Sequence, residues 1–136
     1  MFKLSREKGR GARFRLEVVT RYGFTCALTG YRLTTEDANI VQAAHIVPWS
    51  RTRDDDPRNG LALTPDAHWT FDQGLWSVDG AGRIIVRTEA FTEWAPPGGA
   101  TLRERAGRAL CFRDGATLRP DPDRLAAHRA RFFGDL

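Results

Sequence analysis

The stretch "QAAHIVPWSRTRDDDPRNGLALTPDAHWTFDQG", residues 42–74, holds two of the chain's three histidines, His45 and His68. Asn59 stands between them before a glycine, and Asp72 follows His68 by four residues. Local pattern divides the stretch. "IVQAAHIVPW" (40–49) is rich in β-formers and stops at Pro48, because proline offers no N–H to a sheet. "RTRDDDPRNG" (51–60) is a polar loop ending on Asn-Gly, a turn signal. "LALT" (61–64) predicts a second short strand. "TPDAHWTFDQG" (64–74) carries helix punctuation: Thr64 at the N-cap, Pro65 in the first position, Asp66 in the first turn and Gly74 just past the end. Strand, loop, strand, helix is a ββα unit, here set inside an α+β domain.

The flanks build around it. In "ARFRLEVVTRY" (12–22), Phe14, Val18 and Tyr22 recur every fourth residue, which predicts an amphipathic helix closed by Gly23. "FTCALTGYRL" (24–33) reads as a short strand, a knuckle at Thr29-Gly30 and a return. "LWSVDGAGRIIVR" (75–87) reads as a hairpin around Asp79-Gly80, and "APPGGA" (95–100) as loop. "DPDRLAAHRARFF" (121–133) predicts a terminal helix with Asp121 as N-cap and Pro122 after it. The 136 residues suit one domain over 1–136, with a core of modest size.

Charge is distributed unevenly. Residues 1–25 carry a net charge of +5, residues 101–136 carry +3, and residues 26–100 carry −4. Basic flanks around an acidic middle fit a polyanion held at the edges and a cation at the centre; a solvated, arginine-rich surface is the plainer reading. No apolar run is long enough to span a membrane, and the first residues have no apolar signal-peptide core, so the expected residence is cytoplasmic. Cys26 and Cys111 are too few for a disulfide framework and are read as core thiols.

His68 and Asp72, four apart on a helix, share one face and can share one divalent ion. His45 lies on the preceding strand, and a neutral imidazole there can take a proton from water near neutral pH. The Asn59 amide can bond the loop backbone and fix where His45 points. These parts suit phosphodiester hydrolysis, with the ion stabilising negative charge on the phosphate. Singly, each residue has a plainer reading. His45 fits a half-buried strand histidine, His68 a packing residue, Asp72 helix surface and Asn59 a turn residue. The acidic run Asp54–Asp56 reads as a solvated loop, with a carboxylate reaching the ion as the minor alternative. His128 reads as a helix residue without a named partner, and Trp69, Trp76 and Trp94 read as packing.

Taken together, "AHIVPWS" followed by "NGLALTPDAHWTFDQG" resembles the HNH (ββα-metal) endonuclease family. The likeness is to the branch that reads AHI-P, N-G and H-x-x-F-D-x-G and lacks the structural zinc cysteines. The resemblance implies an α+β fold with a ββα-metal core, an N-terminal helix, an additional β-hairpin and a C-terminal helix. It implies metal-dependent hydrolysis of DNA that leaves a 5′-phosphate. By the same resemblance His45 is the general base, Asn59 orients the loop, and His68 and Asp72 hold one divalent ion (Mg, Mn, Ni or Zn). Two positions depart from the family pattern. Where many members carry a further metal ligand before the base, this chain has Ala44, leaving water and phosphate to complete the ion's shell. Where many hold a structural zinc on two C-x-x-C pairs, it has Cys26, Thr29, Thr64 and Ala67, so four thiolates cannot form. Apolar packing from Phe24, Leu28, Trp49, Leu61, Leu63 and Phe71 is expected to replace the zinc.

The expected partner is DNA, in double-stranded form. Arg51, Arg53 and Arg58 are the first candidates for phosphate contacts. Arg10, Arg13 and Arg15 of the first helix and Arg124, Arg129 and Arg131 of the last come second. No stretch resembles a helix-turn-helix or a zinc finger that would read bases. Relatives by resemblance act in restriction of foreign DNA or as nuclease modules, which leaves a homodimer or a targeting partner open. The rival readings are a catalytically silent nucleic-acid-binding module and a toxin or effector nuclease with an inhibitor partner.

Overall fold

The computed structural model describes residues 10–134, with nothing said of the Arg10 side chain. The order is α1 (Arg10–Arg21), β1 (Gln42–His45), α2 (Trp49–Thr52), β2 (Gly60–Leu63), α3 (Pro65–Asp72), β3 (Trp76–Val78), β4 (Ile84–Val86) and α4 (Pro122–Phe133). The fold is α+β, with two small antiparallel sheets, β1–β2 and β3–β4. Among the described residues no helix is long and apolar enough to cross a membrane.

Strands β1 and β2 pair from Gln42–Leu63 to His45–Gly60. Helix α1 lies across them because its every-fourth pattern buries Phe14, Val18 and Tyr22, with Val19 beside them. The Tyr22 hydroxyl donates to the Gly60 carbonyl at 2.9 Å, deep in the core, and burial pushes that phenol above its ordinary range. Gly60 is what permits the close approach: a Cβ there would lie 2.5 Å from Val18 Cγ2. The Asn59-Gly60 pair is therefore no hairpin turn. Asn59 ends a 3₁₀ turn, Pro57–Asn59, and Gly60 is extended at φ −128°.

Helix α3 follows β2 at once. Thr64 occupies the N-cap position but makes no side-chain cap bond. Its hydroxyl lies 3.6 Å from Cys26 Sγ, and its N–H donates to the same sulfur at 3.5 Å. Two of the four positions considered for zinc thus touch each other through a thiol and a hydroxyl. Segment 24–33 departs from the expected strand pair. It closes on itself as a turn, with Gly30 N–H donating to Cys26 O at 2.8 Å and Cys26 N–H donating to Tyr31 O at 2.9 Å. Bonds spent inside the knuckle are not available to a ladder.

The second sheet and α4 close the far side. Trp76 is fully buried against Phe71, at 4.8 Å between ring centroids. Its indole N–H donates to Thr70 Oγ1 at 2.9 Å. Asp121 caps α4 by accepting from Arg124 N–H at 3.1 Å. Phe132 of α4 sits over Gly74, where a Cβ would come within 2.1 Å of the ring and where φ is +71°. Of the expected core residues, Leu28, Leu61, Leu63 and Phe71 are buried, while Phe24 and Trp49 are only partly so. Trp69 and Trp94 do not pack: they are 61% and 82% exposed. Their neighbours in sequence gave no apolar period to follow inward.

Candidate active site

His45, His68 and Asp72 open onto one cleft of ≈ 370 Å³. Its other wall is α4, through His128, Arg131 and Phe132. All three histidines of the chain therefore meet at this place, although one of them lies 60 residues beyond His68.

His45 ends β1. Its ring stacks on Phe14 of α1, with centroids 3.9 Å apart and planes 4° apart. Its Nε2 lies 3.0 Å from Asp55 Oδ1. The acidic run is therefore not a solvated loop. Asp54 accepts from Arg124 Nε of α4 at 2.6 Å, and Asp56 pairs with the Arg58 guanidinium at 2.9 Å while accepting from Arg58 N–H. The Arg58 bonds hold the Asp56 carboxyl down at about 2, and the Arg124 bond lowers that of Asp54.

Asn59 is fully buried although polar. Its Oδ1 accepts from Val47 N–H at 2.9 Å, and its Nδ2 donates to Val47 O and to Asp54 O, each at 3.0 Å. One amide thus ties the chain just after His45 to the acidic loop. A buried amide with three partners is satisfied; without them it would cost about 1–3 kcal/mol.

On α3, His68 Nε2 and Asp72 Oδ2 are 3.2 Å apart, as the i, i+4 spacing requires. His68 Nδ1 lies 2.7 Å from Gln42 Oε1 of β1. An amide oxygen only accepts, so Nδ1 carries a proton, and in the neutral ring Nε2 presents a lone pair toward the carboxylate. Two electron-pair donors this close repel unless a cation joins them. The donor set therefore fits a divalent ion on His68 Nε2 and Asp72. Among the described residues no three His, Cys, Asp or Glu side chains form a metal-holding cluster. Among the described residues no carboxylate of the acidic run joins His68 and Asp72 in such a cluster, and Ala44 is itself fully buried opposite Leu61.

His128 has a different standing. Its Nε2 donates to Phe71 O at 3.0 Å, its Nδ1 accepts from Ser77 Oγ at 2.8 Å, and its ring stacks on Phe71 at 3.7 Å. Burial pushes its imidazole down to about 4, so it stays neutral and structural beneath the cleft.

Of the arginines expected on DNA, Arg51 is exposed and lines a groove of ≈ 560 Å³ between α2 and α4. Arg131, exposed on α4, lines both that groove and the cleft. Arg53 is exposed, with its guanidinium 5.4 Å from the centre of the Trp49 ring. Arg58 is held by Asp56, Arg124 by Asp54, and Arg129 donates to Val78 O at 2.6 Å. On α1, Arg13 is exposed and Arg15 half-buried, while the Arg10 side chain lies outside what is described. Sequence reasoning passed over Gln42, weighed Asp55 only as part of a solvated acidic run or a minor metal ligand, and ranked Arg131 second. Gln42 and Asp55 lie in the same 33-residue stretch as His45, His68 and Asp72, which was the only signal for their place at the cleft.

Residues 26–79 match the family model described as HNH endonuclease. Among solved structures, the "Modification dependent TagI restriction endonuclease" is similar, with a TM-score of 0.66 and 20% sequence identity. The match covers 89% of this chain and 38% of that one, so the chain spans well under half of that neighbour's length. This likeness shows the fold. No curated protein matches the chain in sequence.

Proposed function

We propose that this chain hydrolyses DNA phosphodiester bonds with His45 as general base and one divalent ion on His68 and Asp72; the match of residues 26–79 to the HNH endonuclease model supports the reading. The observation that carries the reading is the shared cleft: a proton acceptor and a cation-binding pair face the same space. A ring nitrogen of His45 takes a proton from water as the water oxygen bonds to phosphorus. The bond from phosphorus to the 3′-oxygen breaks, and that oxygen takes a proton from solvent, which leaves a 5′-phosphate and a 3′-hydroxyl. The ion, when bound, supplies positive charge where the phosphate gains negative charge. Asn59 holds His45 in place by clamping Val47 and the acidic loop together.

Arg51 and Arg131 continue the cleft as a basic groove, which supports a duplex backbone passing from α3 toward α2. Such contacts position DNA without reading its sequence. Arg53 and Arg58 are exposed on the loop that follows α2 and do not line that groove. The fold shared with a modification-dependent restriction endonuclease supports a role in restriction or defence, with target choice supplied by a targeting partner or a second copy of the chain.

The test is nicking of supercoiled plasmid with Mg, Mn, Ni, Co or Zn and with EDTA, alongside His45→Ala and Asp72→Ala. Metal-dependent nicking that is lost in His45→Ala while metal binding by calorimetry survives is the expected result. Asp72→Ala is expected to lose the metal. DNA affinity without turnover under every metal would instead favour the silent binding module.

A further inference from the structure

We propose that Asp55 is the positioning residue of the general base, holding His45 in the tautomer that presents Nδ1 to water. The inference rests on the nuclease reading above and adds to it which nitrogen acts and what sets it.

A carboxylate in its ionised form only accepts hydrogen bonds. The 3.0 Å contact between Asp55 Oδ1 and His45 Nε2 therefore places the ring proton on Nε2. A neutral imidazole then has its one basic lone pair on Nδ1. Stacking on Phe14 fixes the plane of the ring, so the hydrogen bond and the stack together leave the side chain one orientation. Asp55 is shielded, with a side chain only 11% exposed.

The carboxylate is placed by its neighbours on both sides. Asp54 is bonded to Arg124, and its carbonyl is bonded to Asn59 Nδ2. Asp56 caps the 3₁₀ turn and pairs with Arg58. With both flanking residues anchored, the run of three acids directs its middle member at the base. His68 and Asp72 from α3, and His128 and Arg131 from α4, face the same cleft. His128 is bonded at both nitrogens, so His45 is the histidine with an uncommitted acceptor outside the ligand pair.

During the reaction one proton of water passes to Nδ1 as the water oxygen bonds to phosphorus, while the bond from phosphorus to the 3′-oxygen breaks and that oxygen is protonated by solvent. Asp55 stays ionised and keeps its bond to Nε2–H, beside the imidazolium that forms. The same division of labour between a buried carboxylate and a histidine base operates in serine-protease triads, where amide replacement of the acid costs about 10⁴-fold in kcat through the wrong tautomer.

The experiment pairs nitrogen NMR of the His45 ring with kinetics on the full chain, at about pH 8 so that an ordinary imidazole is neutral. Wild type is expected to show His45 protonated at Nε2 and bare at Nδ1. Asp55→Asn is expected to lose that single tautomer and to lower kcat by about 10²–10⁴-fold with KM changed by about twofold or less. Asp55→Ala serves as a second variant, checked for folding by its melting curve. A wild-type His45 protonated at Nδ1 would overturn the proposal. So would variants that keep both the tautomer and kcat. A wild type with the expected tautomer and no nicking under any metal would sink the nuclease reading, and with it the base role, while leaving the dyad itself.

Discussion

Gln42 Oε1 lies 2.7 Å from His68 Nδ1, and this contact across 26 residues decides which side of the imidazole faces Asp72, the side proposed to hold the metal. Without it the ring could turn or take the other tautomer, and Nε2 would no longer face Asp72. Gln42→Ala should therefore weaken divalent-metal affinity by about 10–100-fold, as losses of such outer partners do. Calorimetric titration with Mn checks it. Gln42→Glu, which keeps an acceptor at the same reach, should retain most of the affinity. Unchanged affinity in Gln42→Ala would remove the contact from the site.

Arg51 and Arg131 are exposed along one groove, whereas Arg58 is already engaged by Asp56. Removing a free phosphate contact releases one counterion fewer on binding. Arg51→Ala and Arg131→Ala should each weaken duplex binding equally across sequences and shallow the salt dependence by about one unit in slope. Arg58→Ala should change the slope less. Fluorescence anisotropy between low and moderate salt separates the three. An Arg58 effect as large as that of Arg131 would redraw the DNA path toward the loop.

Gly60 is small because α1 lies on it. A methyl group at 60 would meet Val18 at 2.5 Å and Phe14 at 3.0 Å, and the Tyr22 hydroxyl bond to the Gly60 carbonyl would be strained with them. Gly60→Ala should cost about 1–3 kcal/mol, the usual penalty of overpacking, by urea denaturation. Its backbone is ordinary extended chain, so a turn glycine's conformational cost is not in play. A variant as stable as wild type would mean that α1 can lift off the sheet.

The ββα core was legible because each of its elements carries a local signal. β-Formers and the stop at Pro48 mark β1, Pro65 and Gly74 bracket α3, and the four-residue step from His68 to Asp72 is set by helix geometry alone. Asn59 was legible as a residue of interest but not as a buried clamp, because nothing local distinguishes an exposed Asn-Gly turn from a 3₁₀ turn sealed under α1. Segment 24–33 was misread as strands because β-propensity cannot tell a ladder from a knuckle whose Cys26, Gly30 and Tyr31 backbone groups bond one another. The acidic run was misread as solvated for a related reason. Its partners are Arg124, 70 residues away, and His45, on the far side of the loop, and charge pattern along a chain carries no record of either. His128 had no named partner because Ser77 and Phe71 reach it only after the second sheet folds under α4.

That burial of His128 has a measurable consequence for stability. Its folded-state imidazole is depressed to about 4 from an ordinary 6.5, chiefly because burial disfavours the charged form. The unfolded chain therefore binds this proton first as pH falls. Stability from this group is whole above about pH 6.5 and is lost progressively toward pH 4, by roughly 3 kcal/mol at most. Asp56, held at about 2 against an ordinary 3.8, also loses its contribution in acid, but only in the lower window beneath pH 3.8. The two windows barely overlap, so urea denaturation at half-unit intervals resolves them. His128→Gln offers Ser77 and Phe71 an uncharged partner, and it should flatten the curve between pH 6.5 and 4 while leaving the lower fall in place. If the variant keeps the upper slope, the titrating group is one of the other histidines and His128 is not the acid-sensitive point of the fold.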